Sequence, residues 1–213
     1  MSSPLAFAVL MGSLGVGVGS LGGCTATGVT LRSNHYRVFV PPGWQVVEAG
    51  GDAQLPTLLR VPSQDGAPAV EVRLYPWLVD GPTADAAGEA LKHLAATDVL
   101  GLTTSRADDA CAERADELQV FGKPSRAVHA QNQAGQRMVI TAGEAYGSLV
   151  AVVGIAAPGS SCAGVEAIDR AVKRVVETLA GNPDPLRVRP QPLLLEDARG
   201  RPVDVPAHPP PMP

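Results

Sequence analysis

The stretch LVAVVGI, Leu149 to Ile155, carries no charged or polar side chain along its whole length. Side chains alternate between the two faces of a strand, so a strand with one wet face alternates apolar and polar residues. An unbroken apolar run instead marks a central strand covered on both sides, and helices must supply that cover. One lies immediately downstream. Val165, Ile168, Ala171, Val172, Val175, Val176 and Leu179 form an apolar stripe at three- and four-residue spacing, starting after Ser160 and Ser161 and stopping at Gly181, Asn182 and Pro183.

Upstream of the run, Gln136 to Ala145, Arg126 to Gln131 and Glu117 to Phe121 read as further strands, linked by turn signals at YGS, QAG and GKP. The first half of the chain has the same character. Val29 to Val40 (VTLRSNHYRVFV) reads as a hairpin turning at Ser33 and Asn34, with Tyr36, Val38 and Val40 on one face. Pro41, Pro42 and Gly43 break the strand, and Trp44 restarts it with Val46 and Val47. Thr57 to Val61 follows, then Val70 to Tyr75, where Val70, Val72 and Leu74 oppose Glu71, Arg73 and Tyr75.

A second helix falls between the two groups of strands. Asp80, Gly81, Pro82 and Thr83 give its start, with Thr83 as the expected cap and Asp85 placed well for the helix dipole. Ala87, Ala90, Leu91, Leu94 and Ala95 supply its apolar stripe. Residues 98 to 112 show no clear period. Strands running consecutively as hairpins, with one helix after each group, predict an α+β fold: an antiparallel sheet with flanking helices.

Three segments carry a resemblance to a known family: YRVFVPPGW (Tyr36 to Trp44), FGKPSRAV (Phe121 to Val128) and EAYGSLVAVVGIAAP (Glu144 to Pro158). On these the chain resembles the PsbP/DcrB-like family over about residues 29 to 181. The resemblance implies an α/β/α sandwich and a non-enzymatic binding or assembly module, and it brings no catalytic residue set.

The N-terminal leader carries an address. Met1 to Gly23 holds no charged side chain, and LAFAVLMGSL (Leu5 to Leu14) is a compact apolar run followed by small residues. That is the form of a removable secretory signal, too glycine-broken to span a bilayer. Leu21, Gly22, Gly23 and Cys24 match the bacterial lipobox position by position. The resemblance to lipoprotein signals implies that Cys24 becomes the first mature residue and carries the acyl chains that hold the protein to a membrane. Lys and Arg are missing from the leader, a departure from the usual signal. Thr25 is not the aspartate that marks inner-membrane retention, which favours the outer membrane. The expected organisation is a signal peptide at 1–23, a short lipidated spacer at 24–28, the domain at 29–181 and a proline-rich tail at 182–213.

With Cys24 acylated, Cys111 and Cys162 remain, and in an oxidising compartment an even pair is most simply a disulfide. Neither ADDACAER nor GSSCAG offers the base or positive setting that a reactive thiol needs. The net charge of -4, with basic residues scattered, gives no footprint for nucleic acid.

No motif points to catalysis, a metal or a cofactor. His35, His93, His129 and His208 lack ligand spacing, and neither HExxH, CxxC nor GxSxG occurs. GVGVGSLGG lies inside the leader and precedes no strand–helix unit, so it is no phosphate cradle. Asp108 and Asp109 read as a solvated loop.

Ten of the 20 prolines follow Asn182, so the tail reads as an extended linker. Within it LLLEDARGRPVDV (Leu193 to Val205) has two apolar stretches around a turn, able to form a small hairpin or to add a strand to an open sheet edge. The expected function is a lipid-anchored envelope protein that binds or assembles with another envelope protein. The alternatives are a tethered module holding a small ligand or lipid, and a hydrolase with a dispersed active site.

Overall fold

A computed structural model describes residues 28–50, 55–63, 69–102 and 117–183, together with the backbone of Leu194–Glu196 and Pro202–Val203. In chain order the elements are β1 (Val29–Arg32), β2 (Tyr36–Val40), β3 (Gln45–Ala49), β4 (Thr57–Val61), β5 (Val70–Leu78) and α1 (Ala86–Ala96). They continue as β6 (Glu117–Val120), β7 (Lys123–Arg126), β8 (Val128–Gln131), β9 (Arg137–Ala145), β10 (Ser148–Ala156), α2 (Cys162–Val176), β11 (Ala180–Gly181), β12 (Leu194–Glu196) and β13 (Pro202–Val203). The lipobox Leu21–Cys24 and Cys111 lie outside the described residues, and Cys162 opens α2.

The fold is α+β and antiparallel throughout. Six strands form the main sheet in the order β3-β4-β5-β10-β9-β8. The LVAVVGI stretch is β10, flanked by β5 and β9 in nine- and eight-residue registers, and every one of its residues is buried. Val150 and Val152 join Val72, Leu74 and Val139 under α2, packed with Ile168, Val172 and Val175. Leu149, Ala151 and Val153 face the other way, with Ile140, Met138 and Tyr75 under Ala90 and Leu94 of α1. The sheet is thus covered by a helix on each face, as the sequence demanded. Gly154 explains the fit of α2. A Cβ there would collide with Ile168 Cγ2 and stand 2.7 Å from Val172 Cγ2, so a glycine lets the helix seat directly on the strand.

A smaller sheet, β11-β2-β1-β12-β13, packs on the α2 side of the main one. The expected hairpin is present, with Val29 opposite Val40 and Tyr36, Val38 and Val40 fully buried. Tyr36 bonds across to Thr57 of β4 and fastens the two sheets together.

Several boundaries differ from the sequence reading. The strand expected at Val70–Tyr75 runs on to Leu78 through Pro76. β4 has its last pairing at Thr57 opposite Leu74, so Pro76 sits where β5 has outrun that neighbour and the missing N–H is tolerated. The turn expected at Gly122–Pro124 is centred on Phe121 and Gly122, and Lys123 and Pro124 belong to β7. β6 and β7 form a separate ribbon. In α1 the cap is Asp85, not Thr83: its Oδ1 accepts from Gly88 N at 3.0 Å, and Ala95 lies on the exposed face. α2 ends at Val176, and Gly181 is not a stop but a strand residue paired with Tyr36.

The tail adds two strands. β12 pairs with β1 through Thr30↔Glu196, Leu31↔Leu195 and Arg32↔Leu194, and β13 pairs with β12. Among the described residues no helix is long and apolar enough to cross a membrane.

Candidate binding cleft

Two tight turns build the most distinctive recess. β6 and β7 are joined by Phe121-Gly122, and β9 and β10 by Tyr146-Gly147, each a two-residue loop with both residues at positive φ (54° and 72°, then 51° and 72°). Such turns suit the right-handed twist of a hairpin but favour Asn, Asp or Gly at the first position. A large aromatic held there in the left-handed region costs on the order of 1 kcal/mol or more. Both turns carry one.

Each ring is seated over a glycine. Phe121 Cδ2 lies 3.0 Å from the place a Cβ on Gly143 would occupy, and Tyr146 Cδ2 lies 2.9 Å from the corresponding place on Gly181. A Cβ would first meet Val120 Cγ1 at Gly143 and Ala145 Cβ at Gly181, with the ring next in each case. Between the two turns lies a cleft of about 480 Å³, lined by Arg37, Phe121, Lys123, Glu144, Tyr146 and Leu179. β11 forms its floor because Gly181 pairs with Tyr36 and Ala180 with Arg37.

Lys123 and Glu144 are shared with a second cleft of about 600 Å³ that runs toward the start of α1. There Glu144 Oε2 accepts from Thr83 N at 2.6 Å, and Arg126 Nη2 donates to Asp85 Oδ2 at 2.7 Å. The Arg126–Asp85 pair is more than half exposed on both sides, so solvent screening leaves it little weight in stability. Further along α1, Trp77 and His93 stack at 4.4 Å.

No family model and no curated protein matches the chain. Among solved structures it is similar to the solution structure of cyanobacterial PsbP (CyanoP) from Synechocystis sp. PCC 6803, with 11% identity and a TM-score of 0.42, over 78% of this chain and 99% of that one. The chemistry of the clefts is read from their own side chains.

The histidines are dispersed. His35 Nδ1 meets Ser148 Oγ at 3.0 Å, His129 Nε2 meets Asp169 Oδ1 at 3.3 Å, His93 stacks on Trp77, and His208 lies outside the described residues. His35 and Ser148 have the spacing of a base and a nucleophile, yet Ser148 is only 1% exposed, so no substrate carbonyl can reach its oxygen. Among the described residues no group of three or more His, Cys, Asp or Glu could hold a metal ion. The clefts offer cations, two carboxylates and two aromatic rings.

In the sequence these rings are hidden, because Phe121 closes an expected strand ahead of the GKP turn signal and Tyr146 sits inside the turn signal YGS. The aromatic residue before each glycine was the available clue, since a turn requiring positive φ has no conformational use for it.

Proposed function

We propose that this chain is a lipid-anchored protein of the bacterial cell envelope, tethered at Cys24, that works as a non-enzymatic binding or assembly module for another envelope protein. The observation that carries the reading is the lipobox LGGC, which closes an apolar leader and ends only five residues before Val29, where β1 begins. A spacer this short keeps the domain within roughly 15–20 Å of the bilayer even when fully extended.

Two features support a binding role. The recesses are open grooves lined by charged groups, with aromatic rings in the one between the two turns, which suits a macromolecular surface better than a small ligand needing most of its area enclosed. The best-placed serine is buried away from any substrate. The remainder of the proposal is a Cys111–Cys162 disulfide and sorting to the outer membrane.

Fractionation and intact mass test the anchor. The wild-type chain should partition with the outer membrane and, once extracted, begin at an acylated Cys24; Cys24→Ala should lose the acyl mass and leave the membrane fraction. An unmodified Cys24 in membrane-extracted protein would overturn the reading. Non-reducing peptide mapping of the same sample should recover the 111 and 162 peptides linked.

A further inference from the structure

We propose that the cleft between the Phe121 and Tyr146 turns docks an acidic, extended segment of a partner protein, with Arg37 and Lys123 meeting its carboxylates and Tyr146 packing on an apolar side chain. This rests on the binding-module reading and names its surface.

The charge argument comes first. The chain as a whole is anionic, at -4, yet this recess is cationic. Arg37 from β2 and Lys123 from the β6–β7 ribbon both line it, and both are exposed. An acidic segment laid along the recess meets both cations at once. Glu144 also lines the recess, but its Oε2 is drawn toward Thr83 N on the other side of the strand.

The aromatic argument is independent. Tyr146 is 61% exposed, the highest value among the exposed large apolar side chains of the described residues. It is held in a left-handed turn and seated on Gly181. A ring fixed before binding loses little entropy on contact, which is why Tyr recurs as an anchor at protein interfaces.

Position separates the cleft from the tether. β1 starts at Val29, on the tether side, and runs to the β1–β2 turn, whose His35 touches Ser148 beside Tyr146. The cleft thus lies at the turn end of the hairpin, opposite the end at which the chain arrives from Cys24.

The test uses the full chain and two labelled heptapeptides, DEWDLED and its charge reversal KKWKLKK, followed by fluorescence anisotropy. The acidic peptide should bind, weaken with added salt, and lose roughly tenfold in affinity in Arg37→Glu/Lys123→Glu. Tyr146→Asn should weaken it as well while keeping or raising the melting temperature, because Asn suits the turn. Equal binding of both peptides, absence of acidic-peptide binding, or binding unchanged in both variants overturns the proposal. So does displacement of the peptide by phosphatidylglycerol-containing vesicles but not by phosphatidylcholine vesicles, which would assign the cleft to lipid. A photo-crosslinker at position 146 in the native envelope separates the two levels. Adducts to an envelope protein at other surface positions but none at 146 would leave the module standing and remove this surface.

Discussion

Tyr36 Oη donates to Thr57 Oγ1 at 2.6 Å, and Thr57 Oγ1 donates onward to the Gly50 carbonyl at 2.6 Å; both side chains are fully buried. This chain of hydrogen bonds crosses from the smaller sheet to the main one. Tyr36→Phe keeps the ring but strips Thr57 of its donor, and leaving a buried polar group short of a partner costs about 1–3 kcal/mol. Denaturant unfolding should show a lower midpoint with an unchanged slope.

The same tyrosine sets an alkaline limit. Burial pushes its hydroxyl well above the ordinary value of 10.0, against the smaller opposing effect of its hydrogen bond to Thr57. A raised folded-state pKa means that the stabilisation is fully present below pH 10 and is lost as pH climbs beyond it, because the unfolded chain gives up its proton first. Burial raises Tyr75 in the same direction. Thermal melts across pH 9 to 11 should show a steeper decline in wild type than in Tyr36→Phe.

Gly154 makes a prediction about layer packing. In Gly154→Ala the new methyl group meets Ile168 and Val172, both β-branched and stiff, so overpacking should cost about 1–3 kcal/mol. Ile168→Val removes the δ-methyl but leaves Cγ2 in place and should not rescue it. Ile168→Ala removes the nearer of the two clashing groups and leaves Val172 Cγ2, so the double variant should lose less than the sum of the single losses without full rescue. A double-mutant cycle by chemical denaturation measures that coupling.

The central layer was legible because β10 combines two local signals that agree: unbroken apolarity and a long, well-spaced stripe in α2. The buried alternation of Tyr36, Val38 and Val40 was readable for the same reason. What escaped depended on contacts distant in sequence. β11 is strand only because Gly181 lies against Tyr36, and Pro76 is tolerated only because β4 ends where it does. The cleft was invisible as a site, since Arg37, Lys123 and Tyr146 come from three different hairpins.

At the start of α1 the sequence points to Thr83 as the cap and to Asp85 for the helix dipole, and the structure gives the capping role to Asp85. Asp85 accepts from Gly88 N, whereas Thr83 contributes its backbone N–H to Glu144. Asp85→Ala should cost about 0.5–2 kcal/mol, the usual range for a lost cap. Thr83→Ala keeps its N–H and should fall within about 0.5 kcal/mol of wild type. Paired thermal melts decide between them, and a larger loss in Thr83→Ala would return the cap to that residue.

The C-terminal strands give the last prediction. β1 lies between β2 and β12, so without the tail its outer edge would present unpaired N–H and C=O groups, a template for pairing with another chain. Only three residue pairs hold β12 to β1 and two hold β13 to β12. Strands this short are weak alone, so this cover should open more readily than the main sheet, where β10 pairs over nine residues with β5 and eight with β9. Leu195→Pro removes an N–H at the centre of the β12 pairing. Hydrogen exchange in Thr30–Arg32 should then accelerate while β10 stays protected, and the variant should self-associate with rising concentration in light scattering. A monomeric variant with unchanged β1 exchange would show that the tail does not guard this edge.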